Sequence, residues 1–285
     1  MSDACARGAG TLFVVATPIG NRADISERAI NVLRSVAVVA AEDTRRAHSL
    51  LQHLGVRKPL LSLHEHNESA RLPDVLARLA DGDDVALIAD AGTPLISDPG
   101  FRLVNAAHAQ ALRVSPVPGP SAVLAALSVA GLPTDRFVFE GFPPAKSAAR
   151  RRWFEARAAQ DATLVLLEAS HRIVPCLQDA AAVFGAQRPA AVTRELTKRF
   201  ETVMRGTLAD MAERVAADPD QQKGEFVILV GGTRQPAPSQ SVDADRLLRE
   251  LLDVIGPSKA AQIVARCTGQ DRKALYRTAL SWRAD

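Results

Sequence analysis

Asp90-Ala-Gly-Thr-Pro-Leu-Ile-Ser-Asp-Pro-Gly100 decides how this chain is read. It follows the apolar run Val-Ala-Leu-Ile-Ala at 85–89 and carries two prolines, two glycines and two aspartates. Such a run neither continues a strand nor opens a regular helix. It is expected to be a shaped loop at the carboxyl end of a strand, where open α/β sheets place their ligands. Two loops of the same kind accompany it: Thr17-Pro-Ile-Gly-Asn21 after the apolar run 12–16, and Pro118-Gly-Pro-Ser-Ala122 after the run 114–117. One Gly/Pro turn after a strand is ordinary, but three in one half of a chain predict one built pocket. The pocket is not of the dinucleotide or triphosphate type. Gly8 and Gly10 precede the first strand, so no G-x-G-x-x-G opens a helix after one, and no G-x-x-x-x-G-K-[ST] occurs.

Working outward, strand-like runs at 12–16, 36–41, 60–63, 85–89 and 114–117 are separated by amphipathic segments such as 72–79. This alternation predicts an open, largely parallel α/β sheet. Asp24 with Glu27 resembles a capping box for the first helix, and Gly55 a stop for a helix over 44–54. A second α/β unit is expected over about 137–231, with strands at 137–140, 163–167, 190–193, 201–205 and 226–230, and a hinge through Pro116, Pro118 and Pro120. The predicted domains are therefore 11–117 and 118–232, facing each other across a cleft. A linker at 233–241 and a helical module at 242–285 follow. In that module Leu247, Leu248, Leu251, Leu252 and Ile255 recur at helical spacing, Gly256-Pro257 breaks the helix, and Ser258 is a candidate cap for the next. Three short helices with Arg272, Lys273, Tyr276 and Arg277 near the start of the last resemble a helix-turn-helix.

A chain of 285 residues with 47% hydrophobic content can bury a substantial core. No apolar run approaches the roughly 18–20 residues of a membrane helix, and the N-terminus lacks a signal-peptide pattern, so a cytoplasmic protein with no membrane partner is expected. Cys5, Cys176 and Cys267 are scattered and form no disulfide or zinc pattern. His64-Glu-His66 reads as a solvated loop rather than a metal site, and no metal is expected. A net charge of +3 is too small to identify a partner; where the charge sits matters more.

The three loops together with Ala41-Glu-Asp-Thr-Arg45, Arg194-Glu-Leu-Thr-Lys198 and Lys223-Gly-Glu225 resemble the small-subunit ribosomal RNA methyltransferases of the tetrapyrrole methylase superfamily. The match runs from about residue 11 to 282, and Asp90-Ala-Gly-Thr-Pro94 is its most specific motif. The resemblance implies two α/β domains of tetrapyrrole-methylase type and a homodimer. It implies S-adenosyl-L-methionine folded into the cleft, and methylation of a cytidine ribose 2′-oxygen in the decoding region of 16S rRNA, free or within the small subunit. It places the cofactor against Pro18, Gly20, Asn21, Asp90, Ala91, Gly92, Thr93, Pro94, Ser121 and Ala122, with Phe142, Leu167 and Glu225 from the second domain.

Methyl transfer from a sulfonium needs alignment of the acceptor oxygen and removal of its proton, but no metal. Asp43, Arg45 and Glu195 are the candidate catalytic groups. Asp43 and Arg45 equally fit a charged first helical turn with local ion pairs, and Glu195 fits a structural role as well as a functional one. Lys146, Arg150, Arg151 and Arg152 beside Trp153 and Phe154, together with Arg272, Lys273 and Arg277, are the candidate RNA contacts, against the alternative of a solvated helix face. Two other functions fit parts of the chain: methylation of a small tetrapyrrole-like molecule, and nucleic-acid binding without catalysis. The basic segments disfavour the first, and a cofactor-type pocket in most of the chain disfavours the second.

Overall fold

The computed structural model describes residues 8–233 and 244–282. The expected linker beyond Thr233, the start of the helical module at 242–243, and Cys5 lie outside them. Two compact units are formed, one reaching Gly232 and the other starting at Thr233.

The first unit opens with β1 (Thr11–Val15), α1 (Glu27–Ser35), β2 (Val38–Ala41), α2 (Thr44–His53), β3 (Leu60–Ser62), α3 (Glu68–Ala80), β4 (Val85–Ile88), α4 (Phe101–Ala109) and β5 (Arg113–Val117). Its sheet has the order β3-β2-β4-β1-β5, and every pairing is parallel. All four residues of β2 (VVAA) and of β4 (VALI) are buried, as expected of central parallel strands covered on both faces. Alternate residues serve opposite layers. Val38, Ala40, Val85 and Leu87 meet Val75, Leu79 and Leu103 from α3 and α4, whereas Val39, Ala41, Ala86 and Ile88 meet Ala29, Leu33 and Leu51 from α1 and α2.

The chain then makes α5 (Ala122–Ala130), β6 (Phe137–Gly141), α6 (Ser147–Glu155), β7 (Thr163–Ala169), α7 (Ile173–Phe184), β8 (Pro189–Arg194), β9 (Thr202–Thr207), α8 (Leu208–Ala217) and β10 (Glu225–Val230). This second sheet has the order β6-β7-β10-β8-β9 and is mixed: β6 and β7 are parallel, and the other pairs are antiparallel. Although α5 follows the last strand of the first sheet, its Val123, Ala126, Leu127 and Ala130 pack on Val165, Ala191, Val227 and Leu229 of the second.

Two capping expectations need correction. The first helix is capped by Ser26, whose hydroxyl accepts from the Ala29 N–H; Asp24 instead ends a short 3-10 turn capped by Asn21. In the second unit Gly256, followed by Pro257 at the first helical position, precedes the middle helix, and Ser258 is inside it. That unit comprises α9 (Ala244–Leu252), α10 (Pro257–Thr268) and α11 (Arg272–Ser281) around Leu248, Ala260, Ala261, Val264, Leu275 and Ala279. Residues 269–271 join α10 to α11, the short turn of a helix-turn-helix, and Asp271 caps α11 by accepting from Lys273 and Ala274 N–H. Among the described residues no helix is long and apolar enough to cross a membrane.

Candidate active site

The three Gly/Pro loops leave the carboxyl ends of β4, β1 and β5, which are neighbours in the sheet. From β1 the chain moves outward to β2 and β3, returns to β4 between β2 and β1, and crosses to β5 on the far side. The loops thus sit at the topological switch point, where the strand ends part to leave a crevice. They are tied together: Thr17 N–H donates to Gly92 O at 2.8 Å, Gly92 N–H to Thr17 O at 3.0 Å, and the Thr93 hydroxyl to Pro120 O at 3.0 Å. Gly92 has φ +79°, a conformation that lets both its polar backbone groups pair with Thr17.

Opposite the loops lies the face of the second sheet, and between them is a cavity of about 400 Å³. Its size falls in the range of small-molecule sites, about 300–1,000 Å³. Of the residues expected at a cofactor, Ala91, Gly92, Thr93, Ser121, Ala122, Phe142, Leu167 and Glu225 line it. Pro18, Gly20, Asn21, Asp90 and Pro94 are not among the lining residues. Ile19 takes the place of its neighbours, and Asp90 accepts from the Asp43 N–H at 3.1 Å while pairing with Arg46 at 3.1 Å. Gly20 has a different task. A Cβ there would stand 2.5 Å from the Lys198 side chain and 3.0 Å from Leu196 O, so only glycine lets the β1 loop reach the β8–β9 loop. Asn21 N–H completes that contact by donating to the Thr197 hydroxyl at 3.0 Å.

Ile96, Ser97 and Asp98 line the cavity as part of the expected 90–100 loop, though not among the expected cofactor contacts, whereas sequence reasoning missed Val123, Glu168, Ala169, Thr193, Leu196, Phe226 and Val227. Most extend runs already singled out by one or two residues, and Asp98 stands inside the opening motif itself. Its carboxyl is half-buried, and burial first, then the neighbouring Glu42 and Asp90 carboxylates, push its pKa up to about 7. Glu42 is also raised, by burial and then by Asp90, against the pull of Arg46 and His64.

The candidate catalytic groups are otherwise engaged. Asp43 caps α2 through the Arg45 N–H and receives the Arg45 guanidinium at 2.7 and 3.1 Å; these bonds hold its carboxyl well below the usual range. Arg45 is pinned in the same local pair. Glu195, at φ +50°, accepts from Lys198 at 2.8 Å and from the Glu225 N–H at 2.9 Å, and Lys198 bridges to the Glu225 side chain at 2.9 Å. Burial works against its ionisation, but those hydrogen bonds outweigh it and keep the carboxyl low. Carboxylates so stabilised are poor proton acceptors.

Arg150 needs a correction as an RNA contact. Its side chain is 2% exposed, forks onto Asp179 at 2.6 and 2.9 Å, and donates to Ala145 O at 3.1 Å, so it offers nothing to a phosphate. Lys146, Arg151 and Arg152 are exposed, although Arg151 also donates to Asp179 at 2.7 Å. Arg172 is likewise committed, to Glu168 and Pro143 O. In the second unit Arg272, Lys273 and Arg277 are exposed at the start of α11. Among the described residues no group of His, Cys, Asp and Glu is arranged to hold a metal ion.

The family profile for Tetrapyrrole (Corrin/Porphyrin) Methylases matches residues 11–212, and the RsmI C-terminal HTH domain profile matches 238–283. Ribosomal RNA small subunit methyltransferase I of Pseudomonas aeruginosa is 53% identical over 274 residues, 95% of this chain and 97% of that protein. The Escherichia coli O157:H7 protein of the same name is 44% identical, covering 95% of each. Among solved structures, uroporphyrin-III-C-methyltransferase from Thermus thermophilus superposes with a TM-score of 0.54 at 21% identity, over 78% of this chain and 94% of that one. Diphthine synthase superposes with a TM-score of 0.58 at 15% identity, over 78% and 90%. Those two likenesses concern the fold alone.

Proposed function

The chain belongs to the tetrapyrrole methylase family, in the branch of the ribosomal RNA small subunit methyltransferases I, and from that premise we propose that it methylates small-subunit rRNA using S-adenosyl-L-methionine. The acceptor in this reading is the ribose 2′-oxygen of a cytidine in the decoding region of 16S rRNA. The enzyme would work as a cytoplasmic homodimer on that RNA or on the small subunit. The observation that carries the reading is the cavity at the switch point. Its walls are apolar at Ile19, Ile96, Phe142 and Leu167, which suits an adenosine, and acidic at Asp98, which suits a cationic ligand. When bound, S-adenosyl-L-methionine supplies a methyl group on a positively charged sulfur. The linked loops orient what enters the cavity, and the second sheet forms its opposite wall through Leu167, Thr193 and Val227.

Mapping ribose methylation in 16S rRNA from cells with and without the protein tests the reading. One 2′-O-methylcytidine in the decoding region should vanish in its absence, and an unchanged map would refute it.

Two exposed basic groups fit the RNA. Alanine at Lys146, Arg151 and Arg152 together should weaken RNA binding by roughly 1 kcal/mol per phosphate contact and flatten the salt dependence by about one unit for each. An unchanged salt slope would leave α6 as a solvated face. Replacing Arg272, Lys273 and Arg277 should raise the KM for the subunit without altering S-adenosyl-L-methionine affinity, because the α/β unit holds every cavity residue. Loss of cofactor affinity in that variant would contradict this division of labour.

A further inference from the structure

A second cavity, of about 610 Å³, opens where the loop between β8 and β9 meets the short 3-10 turn Pro219–Gln222. Its size also falls in the range of small-molecule sites, about 300–1,000 Å³. The walls are firmly joined. Arg194, 8% exposed at the end of β8, donates through Nε to Lys223 O at 2.6 Å and through Nη1 to Phe200 O at 2.9 Å, so one guanidinium ties the loop to the turn. Gly224, at φ +100°, lets the chain after the turn close on the loop, since a Cβ there would stand 2.5 Å from Glu195 Cγ.

Several groups in this lining do nothing for the fold. Phe200 is 62% exposed. Arg199, also exposed, makes no hydrogen bond or ion pair among the described residues; its guanidinium carbon stands 5.4 Å from the centre of the Phe200 ring. Gln221 Oε1 is buried and accepts from no donor among the described residues. A buried acceptor left unpaired costs free energy, so it calls for a donor that the fold does not supply. Arg194 Nη2 is likewise without a partner among the described residues.

Charge narrows the ligand. The lining holds three cations, Arg194, Arg199 and Lys223, and three carboxylates, Glu195, Glu201 and Asp220, so it is no cradle for a phosphate. The carboxylates are taken: Glu195 by Lys198, Asp220 by Lys223, and Glu201 by the Thr197 N–H at 2.6 Å. What stays open is an aromatic face, a guanidinium plane beside it, one donor and one acceptor. Unpaired RNA bases are held by such groups, stacked on rings and guanidinium planes and hydrogen-bonded along their edges.

Resting on the rRNA reading above, we propose that this second cavity holds an unpaired nucleotide flanking the methylated one, its base stacked on Phe200 and Arg199 and its edge met by Gln221 and Arg194. The two cavities share a wall. Glu195 lines the second and Glu225 the first; the Glu195 N–H donates to Glu225 O at 2.9 Å, and the Glu225 N–H to Glu195 Oε1 at 2.9 Å. A strand that delivers its ribose to the first cavity can therefore lay a neighbouring base in the second.

The test uses the full-length protein with small subunits lacking the modification. Phe200→Ala should raise the KM for the subunit by about tenfold or more, with kcat and the affinity for S-adenosylhomocysteine little changed, because stacking holds the strand and not the cofactor. Phe200→Tyr, which keeps an aromatic face, should restore the KM to within about twofold of the wild type. Arg199→Gln should raise it by about two- to fivefold. A benzophenone side chain carried at residue 200 and irradiated on the subunit should cross-link to 16S rRNA within a few nucleotides of the methylated position. Cross-linking to a second copy of the chain instead, with Phe200→Ala sedimenting as a lighter species, would overturn the site and make the ring part of a protein interface. A wild-type KM in Phe200→Ala would overturn it while leaving the methylation reading intact. Loss of S-adenosylhomocysteine affinity in step with the rise in KM would overturn it too, by making the loop part of the cofactor site. Wild-type protein that leaves the subunit unmethylated would overturn both.

Discussion

Gly92→Val should bind S-adenosyl-L-methionine at least about 100-fold more weakly than the wild type, a loss of about 2.7 kcal/mol, while its circular dichroism stays native. The cause is conformational rather than a clash. A Cβ at residue 92 would lie 3.4 Å from Ile19 Cγ2, an ordinary contact, but the backbone stands at φ +79°. A β-branched residue is a genuine outlier there. It cannot relax to negative φ without breaking the paired hydrogen bonds to Thr17 at 2.8 and 3.0 Å, which hold the β1 and β4 loops together. Gly92→Ala separates strain from space: with room for its methyl, it should cost less than valine. Titration calorimetry on both variants decides the matter, and unchanged affinity in the valine variant would remove this loop from the binding site.

Asp179→Ala should destabilise the protein by about 3–5 kcal/mol, the usual cost of stranding one partner of a buried pair. Arg150, 2% exposed, would keep its charge inside the second core with only the Ala145 and Pro144 carbonyls as acceptors. Against a total stability of roughly 5–15 kcal/mol such a loss is severe. The pH dependence follows from the same geometry. Burial opposes ionisation of Asp179, but hydrogen bonds from Arg151, Ser147 and Arg150 prevail and hold its pKa below the usual value. Its contribution is therefore complete above about pH 4 and fades as pH falls through the lowered pKa. Urea unfolding of Asp179→Asn against wild type should show a gap at pH 7 that closes towards pH 3. A gap of under about 1 kcal/mol at pH 7 would mean that Arg150 finds other partners.

Arg150 also illustrates where sequence reading stops. In Arg150-Arg151-Arg152 three identical side chains stand in one helical run, and nothing local distinguishes them. On α6 their directions differ by about 100° per residue, so one points into the core and the others to solvent. Asp179, 29 residues on, decides which arginine is structural. The same applies to Asp43 and Glu195. Their motifs marked them as notable, but whether a carboxylate is free or tied depends on Arg45 and Lys198 adopting particular rotamers.

Periodicity and turn chemistry in the sequence alone determined the alternating strands and helices, the Gly/Pro loops after three of the strands, and a C-terminal module of three short helices. These are properties of short segments, set by φ/ψ preferences and by burial of alternate side chains. Only the tertiary structure decided that β4, β1 and β5 are adjacent, and that α5 crosses to the second sheet. It alone brought Asp98 beside Glu42 and Asp90 and left its side chain without a partner. Strand order and the distance between charges far apart in sequence depend on how layers pack. A carboxyl's basicity depends on those distances and on its burial, neither of which a local segment contains.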